Sequence, residues 1–372
     1  MNRYDELTNE QKLIVLASRL TFSEKDESEL KEIMQNDVDW FYILNITLKN
    51  KVLTLLWHNL SIRDYKMRNR TGDVAYSYYL ANRERNKKYL SELSEVLSIM
   101  TSKGVTCVPL KGAFLIPYMY KDLGIRIMND VDCIIKKSEI PKIRETMNEM
   151  GYYEGDYNPK EHKIDKISRR KDILWRTKMN NLHPFLKVQD SEYVKFTGID
   201  FCHSLDLELD TAPVETMLTR TIKYKDDEYR TLNICDFFIH LCCHLYKEAT
   251  NTMWVYRGSD INLIKFCDVR EFILHFMNKE TKKEAVDFAI KYNLQKAIYF
   301  TIYYLREIYN DGYEFEMLQS LNITDEGFLN NFGEKDYGES AVWKKTFWQR
   351  LFSISNEDEL KEAPKYLEIR DS

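Results

Sequence analysis

Glycine and proline are scarce in this chain, whose 372 residues include only 12 glycines and 7 prolines. So little backbone punctuation argues against a long all-β fold and predicts a largely helical protein. The seven cysteines are odd in number and scattered, without a C-x-x-C pair, which excludes a small disulfide scaffold and favours reduced, buried thiols. No stretch approaches the roughly 18 apolar residues of a membrane span, and no apolar signal segment follows Met1. We therefore expect a cytoplasmic protein without membrane insertion.

Charge of neither sign dominates. The chain has 54 Lys and Arg against 59 Asp and Glu, a net charge of −5, so the overall field gives no reason to expect nucleic-acid binding. The apolar fraction of 44% and the charged fraction of 30% are typical of a folded globular protein. At this length we expect two or three sub-domains.

Hydrophobic periodicity divides the chain into three predicted regions. Residues 1–104 have apolar side chains at helical spacing, residues 105–213 mix short β-branched runs with helices, and residues 214–372 return to helical patterns. We predict an α+β protein that is mostly helical. A small mixed β-sheet core would be flanked by N-terminal and C-terminal helical regions.

Three segments of the central region are predicted strands. Residues 105–110 and 131–135 are short and β-branched, with a helix predicted between them. Residues 204–210 alternate polar and apolar side chains, so that one face carries Asp206 and Glu208 while leucines face the core.

Asp130 and Asp132 carry most of the functional prediction. Strand alternation points residues i and i+2 to the same side, which places the two carboxylates within a few ångströms of each other. Like charges so close repel unless a cation lies between them, and Mg²⁺ prefers oxygen ligands. Asp206 could complete a set holding two Mg²⁺ ions, which together clamp the attacking and leaving oxygens of a phosphoryl displacement. Two solvated aspartates at a strand end would give the same pattern.

Two basic features accompany the aspartates. Lys111 and Gly112 follow a predicted strand and open a helix, so the backbone can approach a phosphate while Lys111 adds positive charge. Arg126 could hold triphosphate oxygens by bidentate contacts. Taken singly, each feature has a commoner explanation than phosphate binding. Lys111 and Gly112 could be a solvated lysine beside a glycine at a helix start, and Arg126 could be a surface arginine.

Residues 160–178 concentrate lysines and arginines around Trp175. One interpretation of the segment is a positively charged lid that covers a triphosphate or an acidic acceptor. The other is a solvated mobile loop. In the first case Arg169, Arg170 and Lys171 are possible contacts.

Three short motifs, and the spacing between them, resemble the signature of the uncharacterised bacterial nucleotidyltransferase family, a branch of the DNA polymerase β-like superfamily. They are residues 110–113 (LKGA), 124–126 (GIR) and 129–134 (NDVDCI). The resemblance covers most of the chain to about residue 280.

The resemblance implies a nucleotidyltransferase fold in which Asp130 and Asp132 bind Mg²⁺ and Asp206 is the third carboxylate. It places nucleotide phosphates at residues 111–113, with Arg126 nearby. Two departures matter. The wider superfamily opens its phosphate loop with Gly-Ser, whereas this chain has Lys-Gly-Ala, so hydroxyl contacts are missing. Glu208 stands where relatives often have His, which leaves the third carboxylate open between Asp206 and Glu208.

The implied activity is Mg²⁺-dependent transfer of a nucleoside monophosphate from an NTP, such as ATP, with release of pyrophosphate. The acceptor would be a hydroxyl or phosphate of a small molecule or modified peptide, because family members commonly lie near natural-product tailoring genes. One alternative is a catalytically silent protein that binds a nucleotide or a partner in the same cleft. Another is a helical interaction scaffold with an incidental Asp-x-Asp.

Overall fold

The computed structural model describes residues 3–191, 193–224, 230–333, 340–354 and 359–360. Within these ranges the chain is α+β and mostly helical, with a mixed sheet, which confirms the predicted fold class. All seven cysteines lie in the described ranges, and none of them forms a disulfide. No described helix combines the length and apolar character that crossing a membrane requires.

The helices in chain order are α1 (Asn9–Leu16), α2 (Glu24–Ile33), α3 (Trp40–Lys49), α4 (Leu53–Ser61), α5 (Thr71–Ser102), α6 (Gly112–Leu115), α7 (Ile140–Glu149), α8 (Arg169–Lys178), α9 (Ala212–Thr219), α10 (Ile234–Thr250), α11 (Thr252–Tyr256), α12 (Leu263–Phe276), α13 (Lys279–Lys291), α14 (Gln295–Ile308), α15 (Glu314–Ser320) and α16 (Phe347–Phe352). The strands are β1 (Cys107–Pro109), β2 (Val131–Ile135), β3 (Tyr153–Asn158), β4 (Lys163–Lys166), β5 (Phe185–Val188), β6 (Phe196–Cys202), β7 (Ile222–Lys223), β8 (Arg230–Thr231), β9 (Asn331–Phe332) and β10 (Ala341–Val342).

The chain divides into two compact units. Among the described residues, one unit contains those up to 80 and those from 238 to 360, and the other contains those from 81 to 237. The two boundaries fall inside helices α5 and α10. The division into regions 1–104, 105–213 and 214–372 stays a prediction.

The first unit joins helices from both ends of the sequence. The buried Glu271 carboxylate of α12 accepts hydrogen bonds from the Leu20 and Thr21 backbone amides, at 3.0 and 3.3 Å. Near the C-terminal end, Arg350 pairs with Asp260 at 2.7 Å, and both side chains are almost wholly buried. A buried charge is tolerated only when it is paired, so these contacts fix which helices pack together.

The second unit is built on a six-stranded mixed sheet of order β1-β2-β6-β5-β3-β4. Strands β2 and β6 are parallel, and the other neighbouring pairs are antiparallel. Val131 and Cys133 of β2, with Ile199 and Phe201 of β6, belong to a core shared with helices α5 and α7. Because side chains alternate along a strand, the residues between them project from the opposite face. The strands predicted at 105–110 and 131–135 are confirmed as β1 and β2.

The strand predicted over residues 204–210 is wrong, since these residues form bends and turns. The Asp206 side chain accepts a hydrogen bond from the Glu208 amide at 3.0 Å, a local contact that competes with sheet pairing. Leu209 has a φ of +61°, which no strand residue adopts. The strand of this region lies earlier, at β6.

His203, which directly follows β6, is only 5% exposed. Burial, together with the positive charge of Lys137, lowers the pKa of His203 to about 4. The ordinary histidine pKa near 6.5 applies to the unfolded chain, so the unfolded state binds the proton first and stability falls as the pH drops from about 6.5 to about 4.

We expect His203→Leu to reduce the loss of unfolding free energy between about pH 7.5 and pH 5 by on the order of 1 kcal/mol. Thermal unfolding of both proteins at the two pH values measures this difference. His162→Asn, which alters an exposed histidine of the same unit, is the control and should leave the wild-type pH dependence unchanged. Equal losses in wild type and His203→Leu would contradict the assignment.

Candidate functional site

Two aspartates lie side by side on the face of the sheet opposite its core. Asp132 of β2 and Asp200 of β6 are direct partners in the parallel register. Residues paired in this way project from the same face, and neighbouring strands are about 4.8 Å apart. Asp130 comes immediately before β2 and is exposed, two residues ahead of Asp132. Two carboxylates therefore come from adjacent strands, and a third comes from the residue just before β2.

Tyr89 of α5 feels the negative charge of Asp130 and of Asp200. The side chain is 4% exposed and belongs to the core beneath the sheet. Burial raises the pKa of Tyr89 to about 12, and the negative charges of Asp130 and Asp200 contribute to that rise. The phenol therefore stays protonated at neutral pH and lies within the electrostatic reach of both aspartates.

The Lys111 ammonium lies against this acidic group. Its Nζ is 2.7 Å from Asp132 Oδ1, and the two side chains are 16% and 20% exposed. The lysine occupies the turn between β1 and α6 with a φ of +46° and a ψ of −122°. Residues other than glycine rarely adopt this backbone conformation, and such strain costs about 1–3 kcal/mol. The surrounding structure holds the turn, since the Leu110 amide donates to Asp132 O at 2.9 Å.

The backbone amides that follow the turn are already engaged. Ala113 N donates to Leu110 O at 3.1 Å, and Phe114 N and Leu115 N donate to Lys111 O at 3.1 and 2.8 Å. The Ala113 side chain is buried in the sheet core. The amides of residues 113–115 are therefore not available to a ligand.

Gly112 lies against the guanidinium of Arg126. A Cβ at position 112 would be 2.5 Å from Arg126 Nη1 and 2.9 Å from Met128 Sδ, both far closer than atoms can approach. Arg126 is 8% exposed, and its Nη1 donates to Ile127 O at 3.3 Å. A side chain at position 112 would therefore force the Arg126 guanidinium and the end of Met128 to move.

Two asparagines of α5 hold the loop that presents Arg126. Asn82 Nδ2 donates to Gly124 O at 2.8 Å and to Arg126 O at 3.0 Å. One helical turn later, Asn86 Nδ2 donates to Leu123 O at 2.6 Å and again to Arg126 O at 2.8 Å. Both asparagines are buried, so their loss would leave unsatisfied carbonyls as well as a loose loop.

Residues 36–310, well over half of the chain, match the family described as uncharacterised nucleotidyltransferase. The chain belongs to this family. The predicted resemblance is confirmed, and the protein is a nucleotidyltransferase, an enzyme class whose substrate is an NTP. No curated protein and no solved structure matches the chain.

In this nucleotidyltransferase, Asp206 and Glu208 lie beyond the end of the sheet. Asp206 follows the last residue of β6 by four positions, and its carboxylate serves the local turn with Glu208 N. Glu208 is exposed. Neither residue has the in-register alignment with Asp132 that strand alternation over 204–210 would have supplied.

The basic segment is ordered into β4 and α8, with Ser168 as the helix N-cap. Lys171 is buried, and its Nζ pairs with Asp156 at 2.7 Å. Arg169 and Arg170 are exposed in the first turn of α8. Of the three residues that we predicted as possible contacts, the two arginines thus keep solvent-facing side chains.

The donor set has the chemistry of a magnesium site. Within the described ranges, no group of three His, Cys, Asp or Glu side chains forms a ready-made metal site. Asp130, Asp132 and Asp200 nevertheless supply the hard oxygen ligands that Mg²⁺ prefers. The Lys111 ammonium, a cation, already lies on one of those oxygens. The three carboxylates therefore match Mg²⁺ in the type of donor atom that they offer.

The sequence pattern missed Asp200, Tyr89, Asn82 and Asn86. For Asp200 a signal existed, namely a single acidic residue inside the β-branched and aromatic run 196–202. The asparagines show only an i, i+4 spacing, which says nothing about a loop some forty positions later.

We expect Gly112→Ala to fold but to displace the Arg126 guanidinium, because the atoms nearest the added methyl group end flexible side chains. If the methyl group acts through Arg126, its cost falls in an Arg126→Ala background, with a coupling of about 1 kcal/mol. Denaturant unfolding of the two single variants and the double variant measures it.

Gly72→Ala is the control for this cycle. The nearest atoms to its added methyl group are at 3.5 Å, an ordinary contact, so the change should be neutral or stabilising. Strictly additive effects of Gly112→Ala and Arg126→Ala would argue against the packing described here.

Proposed function

We propose that the enzyme moves a nucleoside monophosphate from an NTP to a hydroxyl or phosphate of a small molecule or modified peptide, releasing pyrophosphate in an Mg²⁺-dependent reaction. The observation that carries this proposal is the parallel register that pairs Asp132 with Asp200. Family membership supports the reaction class.

We propose that Asp130, Asp132 and Asp200 hold the magnesium, as two ions. Bound Mg²⁺ would neutralise charge on the triphosphate and on the attacking and leaving oxygens. Charge balance supports the proposal, because three carboxylates repel an anionic triphosphate and Lys111 and Arg126 offset only part of that repulsion.

Asp200 replaces Asp206 and Glu208 as our candidate for the third carboxylate. It is also our candidate for the base that takes the proton from the acceptor, because its strand neighbours the one that carries Asp132. Asp206 lacks that position, since it caps its own turn.

For the phosphates we propose side-chain contacts. Lys111 lies at the edge of the acidic group, and Arg126 lies beneath the adjacent turn. Arg169 and Arg170 are exposed and could approach the triphosphate from α8, since guanidinium groups pair well with phosphate. ATP as the nucleotide and a natural product as the acceptor are the specific forms of this proposal.

Asp132→Asn and Asp200→Asn should each lower pyrophosphate release about 10²–10³-fold or more, because each removes a charge that a preorganised site depends on. Asp206→Asn, the matched control, should retain activity within a few-fold. Circular dichroism and thermal unfolding establish that each variant is folded. An active Asp200→Asn beside an inactive Asp206→Asn would refute the choice of third carboxylate.

The acceptor can be found directly. The purified protein is mixed with each of the four NTPs, Mg²⁺ and a metabolite or peptide extract, and pyrophosphate release and mass gain are followed. We expect one extract component to gain the mass of a nucleoside monophosphate. Nucleotide binding without pyrophosphate release from any NTP would favour the catalytically silent binding protein.

A further inference from the structure

The ion pair between Lys111 and Asp132 lies where a divalent cation would have to bind. Lys111 Nζ is 2.7 Å from Asp132 Oδ1, a direct charge-assisted contact, and both side chains are largely shielded from water. An ammonium and a divalent ion cannot share that oxygen without strong repulsion, because a screened interaction between charges a few ångströms apart is still large.

The backbone shows that the lysine side chain is held in this place at a cost. Its φ of +46° favours glycine, and the hydrogen bonds of Leu110, Phe114 and Leu115 keep the turn in that conformation. An outlier held by its surroundings is a reason to ask what the side chain does. Here the side chain delivers a positive charge to the acidic group.

We infer that Lys111 is a tethered counter-cation of the metal site. Its ammonium neutralises Asp132 while no metal is bound, and it moves to the triphosphate when metal and nucleotide enter. This inference rests on the proposed function. It assigns Lys111 two successive partners, a carboxylate and a phosphate. Lys111 would therefore weaken binding of the metal ion and strengthen binding of the nucleotide.

Lys111→Met removes the charge while keeping an unbranched side chain of similar length. Losing a competing ammonium should tighten Mn²⁺ binding about tenfold or more. Losing a phosphate contact should weaken nucleotide binding at saturating Mn²⁺ by about tenfold. The opposite signs of the two changes are the signature of a cation that leaves one partner for the other.

Two binding measurements test this without turnover. Electron paramagnetic resonance of free Mn²⁺ gives the metal affinity, and calorimetry with α,β-methylene-ATP at saturating Mn²⁺ gives the nucleotide affinity, because that analogue cannot release pyrophosphate. Lys121→Met is the matched control. It removes the same charge from an exposed lysine that also has a positive φ of +56°, and it should change neither affinity. Lys111→Gln serves if Lys111→Met does not fold.

Tighter Mn²⁺ binding together with weaker analogue binding supports the inference. Unchanged or weaker Mn²⁺ binding in Lys111→Met overturns it while the metal site stands. Tighter Mn²⁺ binding with unchanged analogue affinity overturns the movement to the triphosphate. If neither the variant nor the wild type binds Mn²⁺, the proposed metal site itself fails, and the inference fails with it.

Discussion

The site depends on one pairing, the parallel register of β2 with β6. Because Asp132 and Asp200 are direct partners, their carboxylates are neighbours only in this register of the two strands. A slip of one residue would turn an aspartate toward the core formed by Val131, Cys133 and Phe201. The apolar residues of the opposite face therefore fix the position of the acidic ones, and packing in the core specifies the chemistry on the surface.

Sequence patterns predicted the elements whose signal is local. The β-branched runs at 105–110 and 131–135, which contain β1 and β2, are of this kind. The third strand was not, because alternation over 204–210 imitates a half-exposed strand while side-chain contacts to the backbone fold it into turns. In β6, the adjacent residues 197–199 are all buried, so the alternation by which a half-exposed strand is recognised covers only residues 199–202.

The contacts around the turn at Lys111 show a second limit of prediction from the sequence. The motifs at 110–113 and 129–134 identified the family, because the spacing between neighbouring motifs can be read directly along the chain. What makes the turn work is packing between distant positions, as with Gly112 against Arg126 and Asn86 against the Arg126 carbonyl. Such pairings follow from the way α5 packs along the loop, and the residues of neither segment predict that packing.

The unusual backbone of Lys111 has a consequence for laboratory evolution. A library selected for heat resistance alone would favour glycine at this position to the extent that relaxing the turn outweighs the lost ion pair with Asp132. Under the role proposed for Lys111, a library selected for product formation would keep the lysine. The two selections thus favour different residues at position 111, and sequencing the survivors of each would test the role of the Lys111 ammonium.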